Sequence, residues 1–326
     1  MIGKYSPSKF VKLIDMRTAT GKKAVKNETL QPFKVREAIV GLSLSREDEP
    51  LLKYLDFFKG PIPIAGISFL HVIPSTRARL PLAVAPGIEA SHEDEEEALR
   101  VLSDRVRDIM PERAASDVHY FIEEGAPLEK LLALANEKKA DLLVIGKKAE
   151  SLTHGIMSKN LIRHTKANVL VVPENATAGL KNILVPIDFS ENSVRALKAA
   201  LSIKAQAGES VKVFAINIYQ RPNLMAYKLN MTPERFEKNI QENHEKGFEK
   251  FMEEELPEYI SQIQPILIWN DMPDVAHHIM DNAKEAGASL IVMGCKGHSR
   301  LELMLLGSTT ETLLNIDASI PVLVVK

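Results

Sequence analysis

The chemistry in this chain sits in one glycine-rich segment and one aspartate. Gly294-Cys295-Lys296-Gly297 is followed, after nine residues, by Gly307-Ser308-Thr309. The segment leaves a short apolar run at 290–293 and leads into a helix-like stretch at 309–315. Such a loop suits phosphate: glycines let backbone N–H groups approach an anion, and a helix N-terminus adds partial positive charge. Ser308 and Thr309 would add hydroxyl donors and help cap the helix. Glycines that merely make turns are the alternative. Asp188 ends a second apolar run, 183–187, where a carboxylate can accept two hydroxyl donors or favour the N-terminus of a following helix. The other candidates are weaker. Cys295 is a reactive thiol if the loop amides stabilise its thiolate, and otherwise a small residue in a turn. His298 either reaches a phosphate or is an exposed loop histidine. His277 and His278 diverge by about 100° on a helix, with no ligand at metal spacing. Lys296 lacks the spacing of a Walker lysine. No paired carboxylates and no Ser/His/Asp set stand out. The residues can hold a phosphorylated ligand and offer nothing evident to attack it, so no catalytic residue is assigned.

These residues need strands to end where they stand. Short apolar runs recur in the same order in both halves of the chain. Gly41 to Pro186 is 145 residues, His71 to Asn217 is 146, Pro127 to Pro273 is 146 and Gly146 to Gly294 is 148. A nearly constant offset marks a domain-sized duplication. It jumps to 153 between Asn168 and Pro321, so the first half is five residues shorter between its fourth and fifth strands. Helical periodicity fills the intervals at 49–59, 92–109, 127–139, 190–207, 233–255 and 274–286, with Ser190 as an N-cap. The acidic run 93–97 suits a helix start, and Trp269 is expected near a sheet edge. The fold class is therefore α/β: two tandem open-twisted, mostly parallel five-stranded sheets with flanking helices, Rossmann-like. Ligands of such sheets bind beyond the carboxyl ends of the strands, at the switch point of strand order. The expected division is an N-terminal extension at 1–34, with one helix near 8–16, a first domain at 35–174 and a second at 180–326.

The pattern Gly-x-x-Gly, nine residues, Gly-Ser resembles the nucleotide loop of the universal stress protein family. The strand-like opening Asn182 to Ser190 and the closing Ile320 to Lys326 are similar to that family's first and last strands. The resemblance implies ATP, with Mg or Mn, held by the second domain. Asp188 would bind the ribose hydroxyls, with Pro186 and Ile187 also in the cofactor site, Ile218 would turn its backbone towards the adenine, Gly294 would approach the ribose, and Gly297, Gly307, Ser308 and Thr309 would surround the phosphates. It also implies pairing of the two domains through their final strands, 169–172 and 322–325, and is compatible with a homodimer. The first half departs from the pattern. Gly41 and Ser43 replace Pro186 and Asp188, Lys147-Lys148-Ala149 follows Gly146, and His154-Gly155 stand opposite Gly307-Ser308. No ATP site is expected there. Lys147 and Lys148 read as a solvated basic pair, with an anion as the rival reading.

Composition bounds the rest. Over 326 residues, 45% hydrophobic and 26% charged residues with a formal net charge of −2 describe an ordinary globular chain. No basic field draws it to nucleic acid or an anionic membrane. The one cysteine precludes an intrachain disulfide, and no apolar run is long enough to span a bilayer. A cytoplasmic location and a stress-response role with an unidentified protein partner are expected. Two rival functions remain: a slow ATPase or adenylyl-transfer-type enzyme, and a scaffold binding a protein or small apolar ligand through the Pro/Leu/Ala/Val-rich segment 74–87.

Overall fold

The computed structural model describes residues 11–13, 30–58, 60–73, 92–114, 118–148, 152–220, 232–270, 274–296, 306–316 and 319–326. The segment 74–87 lies outside them. A short strand, β1 (Val11–Leu13), comes first. The first half follows with β2 (Val35–Leu42), α1 (Asp48–Phe58), β3 (Ile64–Ile73), α2 (His92–Ile109), α3 (Pro111–Ala114), β4 (Val118–Glu124), α4 (Pro127–Glu137), β5 (Leu142–Lys147), α5 (Leu152–His164) and β6 (Asn168–Pro173). The second has β7 (Asn182–Pro186), α6 (Glu191–Ala207), β8 (Lys212–Gln220), α7 (Pro233–Glu255), β9 (Ile263–Asn270), α8 (Val275–Glu285), β10 (Leu290–Gly294), α9 (Ser308–Asn315) and β11 (Val322–Val325).

All pairings inside each half are parallel, in the order β9-β8-β7-β10-β11 and its mirror β6-β5-β2-β3-β4. The two five-stranded sheets are one continuous sheet. β11 pairs antiparallel with β6, with Val322 opposite Val171, Leu323 opposite Leu170 and Val324 opposite Val169. The final strands therefore pair within the chain as the resemblance implies. β1 adds an eleventh strand, antiparallel to β9. That overturns the helix expected near 8–16: an open edge with unpaired backbone groups outweighs the local periodicity.

Strand residues alternate between two apolar layers. Leu170 and Val172 face one, with α1, α2, α6 and α7; Val169 and Val171 face the other, with α4, α5, α8 and α9. Both layers run unbroken across the β6–β11 junction. The helices begin at side-chain caps where the sequence offers them. Ser190 accepts from the Ser193 N–H at 3.3 Å, Thr232 from Arg235 at 3.4 Å and Asp274 from His277 at 3.2 Å. Residues 30–33 lean on the second half: Leu30 N–H donates to Tyr259 Oη at 3.3 Å, and Phe33 N–H donates to Ser202 Oγ. Among the described residues no helix is long and apolar enough to cross a membrane.

Near the β9 edge, Tyr219 stacks on His244 with ring centroids 4.2 Å apart and meets Trp269 edge-on at 5.4 Å. Burial, with a smaller contribution from Glu245, pushes the Tyr219 phenol up to about 12, and burial holds the His244 imidazole below its ordinary value. A depressed histidine stabilises the fold above its unfolded pKa of about 6.5 and loses that contribution as pH falls through its folded value. His244→Phe should therefore flatten the decline in stability just below pH ~6.5 in urea titrations. At the junction, Leu323 is fully buried. Leu323→Ala should cost about 2–5 kcal/mol and shift one transition common to both halves. Two separate transitions, only one of them shifted, would show that the halves unfold independently.

Candidate functional site

At the carboxyl ends of β7, β8 and β10 the sheet opens into a cavity of about 310 Å³. It lies where strand order reverses, with β8 on one flank of β7 and β10 on the other. Pro186, Ile187 and Asp188 line it from β7 and the turn beyond, Ile218 from β8, Gly294 from β10, and Gly307, Ser308 and Thr309 from the start of α9. Gly297 and His298 lie outside the described residues.

The turn after β7 aims Asp188. Phe189 takes a left-handed backbone at φ 63°, a conformation that costs a non-glycine residue about 1–2 kcal/mol. Its ring packs edge-on against Phe251 at 5.2 Å and Phe248 at 6.2 Å on α7, which holds the strained turn in place. Leu44, at φ 57°, repeats the turn after β2. Asp188 Oδ1 accepts the Ser190 N–H at 3.1 Å and its hydroxyl at 2.6 Å. Oδ2 has no partner among the described residues. Through Oδ1 the carboxylate thus orders the start of α6.

The glycine loop is fixed at both ends. A Cβ on Gly294 would stand 2.7 Å from Asn192 Cβ and 2.9 Å from the Asn192 carbonyl carbon and oxygen. Glycine is required there for α6 to pack against β10. Gly307 donates to Cys295 O at 3.0 Å, and Thr310 Oγ1 donates to Gly294 O at 3.2 Å. α9 begins at Ser308, one residue earlier than the sequence suggests, and Gly307 is its N-cap without a side-chain bond. The expected hydroxyl caps are thus corrected. With no side-chain acceptor at that cap, the first N–H groups of α9 stand at the cavity's edge. Cys295 is buried in the core, which favours its reading as a small packed residue over a reactive thiol. His277 bonds its own cap, Nδ1 to Asp274 Oδ2 at 2.6 Å.

Several lining residues were not proposed from the sequence as contributors, Lys296, Ile279 and Asn217 among them. Lys296 brings a cation to the glycine-loop side, and Ile279 belongs to the α8 apolar stripe. Asn217 is 5% exposed; its Nδ2 donates to Ile187 O at 2.7 Å, and its Oδ1 is buried without a partner. The repeat carried a signal for it, because His71 occupies the matching place and its Nδ1 lies 3.0 Å from Leu42 O.

The matching region of the first half is built differently. Leu131 Cδ2 stands 3.2 Å from where a Gly41 Cβ would be. Ser43 donates from both N–H and Oγ to Asp48 Oδ1 at 3.0 Å, and Arg105 meets Asp48 Oδ2 at 3.3 Å. β5 ends at Lys147 and α5 starts at Leu152, so His154 and Gly155 fall inside a helix and no long loop intervenes. The solvated basic pair is also corrected. Lys147 is 9% exposed and donates to Ile316 O at 2.6 Å, while Lys148 pairs with Glu47 at 2.7 Å. A larger groove of about 1630 Å³ lies by residues 30–34, but its walls mix Arg36 and Lys198 with Glu254 and Glu258 and include no glycine loop.

The family model for the universal stress protein family matches residues 36–173 and again 179–326. The chain belongs to the universal stress protein family. It is similar to the universal stress protein YxiE of Bacillus subtilis, 31% identical over 150 residues, or 44% of this chain and 97% of that one. It is likewise similar to the universal stress protein MJ0577 of Methanocaldococcus jannaschii, 30% identical over 158 residues, 45% of this chain and 94% of the relative. A universal stress protein from Archaeoglobus fulgidus shares the fold across both halves, with a TM-score of 0.61 at 20% identity, covering 90% of this chain and 97% of that one.

Gly294→Ala should lower stability by about 1–3 kcal/mol in thermal unfolding, because the obstacle is Asn192 backbone. Gly41→Ala should change it much less, since Leu131's terminal methyls can move.

Proposed function

We propose that this universal stress protein binds one ATP, in the cavity of its second domain, and acts as a nucleotide-responsive regulator of a stress response rather than as an enzyme. The proposed organisation is an extension at 1–34, a supporting domain at 35–174 and a binding domain at 180–326. The observation that carries the reading is the convergence of Asp188, Gly294, Gly307, Ser308 and Thr309 on one space at the strand-order switch point. The chemistry of that space fits the nucleotide. The unpartnered oxygen of Asp188 accepts ribose hydroxyls. The Gly307–Thr309 N–H groups and hydroxyls, with the α9 dipole and Lys296, meet phosphate oxygens. Ile218 and Ile279 give a purine apolar walls, and Asn217 Oδ1 offers a buried acceptor to an exocyclic amine. Among the described residues no cluster of His, Cys, Asp and Glu could hold a metal ion, so Mg²⁺ or Mn²⁺ would arrive on the phosphates. Among the described residues Asp188 is the one acidic residue lining the cavity.

Calorimetric titration of nucleotide-free protein with ATP and Mg²⁺ should give one site per chain. Asp188→Ala should weaken it by about tenfold or more, the worth of a charge-assisted hydrogen bond. Ser43→Ala, at the matching position of the first half, should leave it unchanged. Two sites, or one that survives Asp188→Ala, would refute the assignment.

A further inference from the structure

In the repeat, Lys147 of the first half stands where the second half has Cys295, directly after the glycine that opens the nucleotide loop. Cys295 packs in the core of its own half, whereas Lys147 reaches out of its half. Its ammonium donates to Ile316 O, the C-cap carbonyl of α9, at 2.6 Å. A buried cation costs stability unless it is partnered, and the carbonyl end of a helix is a favourable partner. The same helix is gripped at its other end. Glu311, in the first turn of α9, pairs with Arg163 at 2.7 Å and Lys159 at 3.4 Å, both on α5. α5 is the first half's counterpart of α9.

α9 has eight residues, too few for a helix to stand on its own propensity. Its position is set by what holds it. Cys295 O and Gly294 O hold Gly307 and Thr310, Leu313 and Leu314 pack into the apolar layer beside α8, and Lys147, Lys159 and Arg163 grip both ends from the first half. Glu311 lies one turn from Ser308, close enough for an unpaired carboxylate to repel phosphate. Arg163 and Lys159 compensate that charge.

We infer that the first domain has converted its own counterpart of the nucleotide loop into a clamp on α9, and that Lys147, Arg163 and Glu311 are positioning residues for the phosphate end of the second domain's site. This rests on the ATP reading for its functional consequence. The domain without the glycine loop thereby sets how tightly the other grips phosphates, without touching the ligand.

The test uses the full chain carrying Lys147→Met, which keeps most of the stem and removes the ammonium, and separately Arg163→Gln at a partly exposed site. Amide hydrogen exchange of the nucleotide-free protein should speed up in residues 308–315 of both variants and stay unchanged in β7 and α6. Affinity for ATP should fall roughly three- to thirtyfold, while affinity for adenosine stays the same. Arg163→Lys should restore much of the ATP affinity. Unchanged exchange in 308–315 overturns the clamp, and so does an equal loss for ATP and adenosine. Absence of ATP binding in the parent protein overturns the nucleotide reading and the functional consequence, and hydrogen exchange still judges the clamp by itself. If Lys147→Met fails to fold, Arg163→Gln carries the test.

Discussion

Three residue pairs at the centre of the sheet, Val322 with Val171, Leu323 with Leu170 and Val324 with Val169, decide how everything else is arranged. Pairing the last strand of each half covers two edges that would otherwise be open to other chains, and lets both apolar layers run through the whole molecule. Because this pairing is antiparallel while those within each half are parallel, the strands of the two halves point in opposite directions. The carboxyl ends of β7 and β10 open on one edge of the sheet, and those of β2 and β5 on the other. The same geometry brings the end of β5 beside the end of α9, which is why Lys147 can reach Ile316.

The two halves keep the same frame and differ in what fills it. Both retain the left-handed residue after the first strand, Leu44 and Phe189, and both use a polar side chain from the second strand, His71 and Asn217, to meet the carbonyl before that turn. In the second half the turn presents a carboxylate whose second oxygen has no partner among the described residues. In the first half Asp48 sits on α1 and is satisfied by Ser43 and Arg105, Leu131 lies over Gly41, and a helix follows β5 almost at once. A duplicated frame can therefore diverge in what fills its strand ends through a few side chains and one loop length.

Much of this was legible in the sequence. The 145–148 residue offset reported the duplication, α2 and α7 match their periodic stretches, and Ser190 is the N-cap its position suggested. The glycine spacing and Asp188 brought attention to residues that meet around one cavity. What escaped depends on partners distant in sequence. β1 is a strand because β9 offers it an edge, although its local pattern resembles a helix. Lys147 looks like a solvent-facing cation until the β6–β11 pairing puts a helix end beside it. The requirement for glycine at 294 comes from Asn192, a contact that no motif encodes. Asn217 was visible only as a landmark, since its unpartnered oxygen is a property of the folded core.

We propose that one site, in the second domain, holds the nucleotide. A crystal structure of the chain grown with ATP and Mg²⁺ tests it most directly. The expected density has ribose at Asp188 and phosphates at Gly307, Ser308 and Thr309, with Leu131 still lying over Gly41 in the first domain. Nucleotide density beside Gly41 and Lys148, or an empty second-domain cavity in crystals whose protein binds ATP, would contradict it.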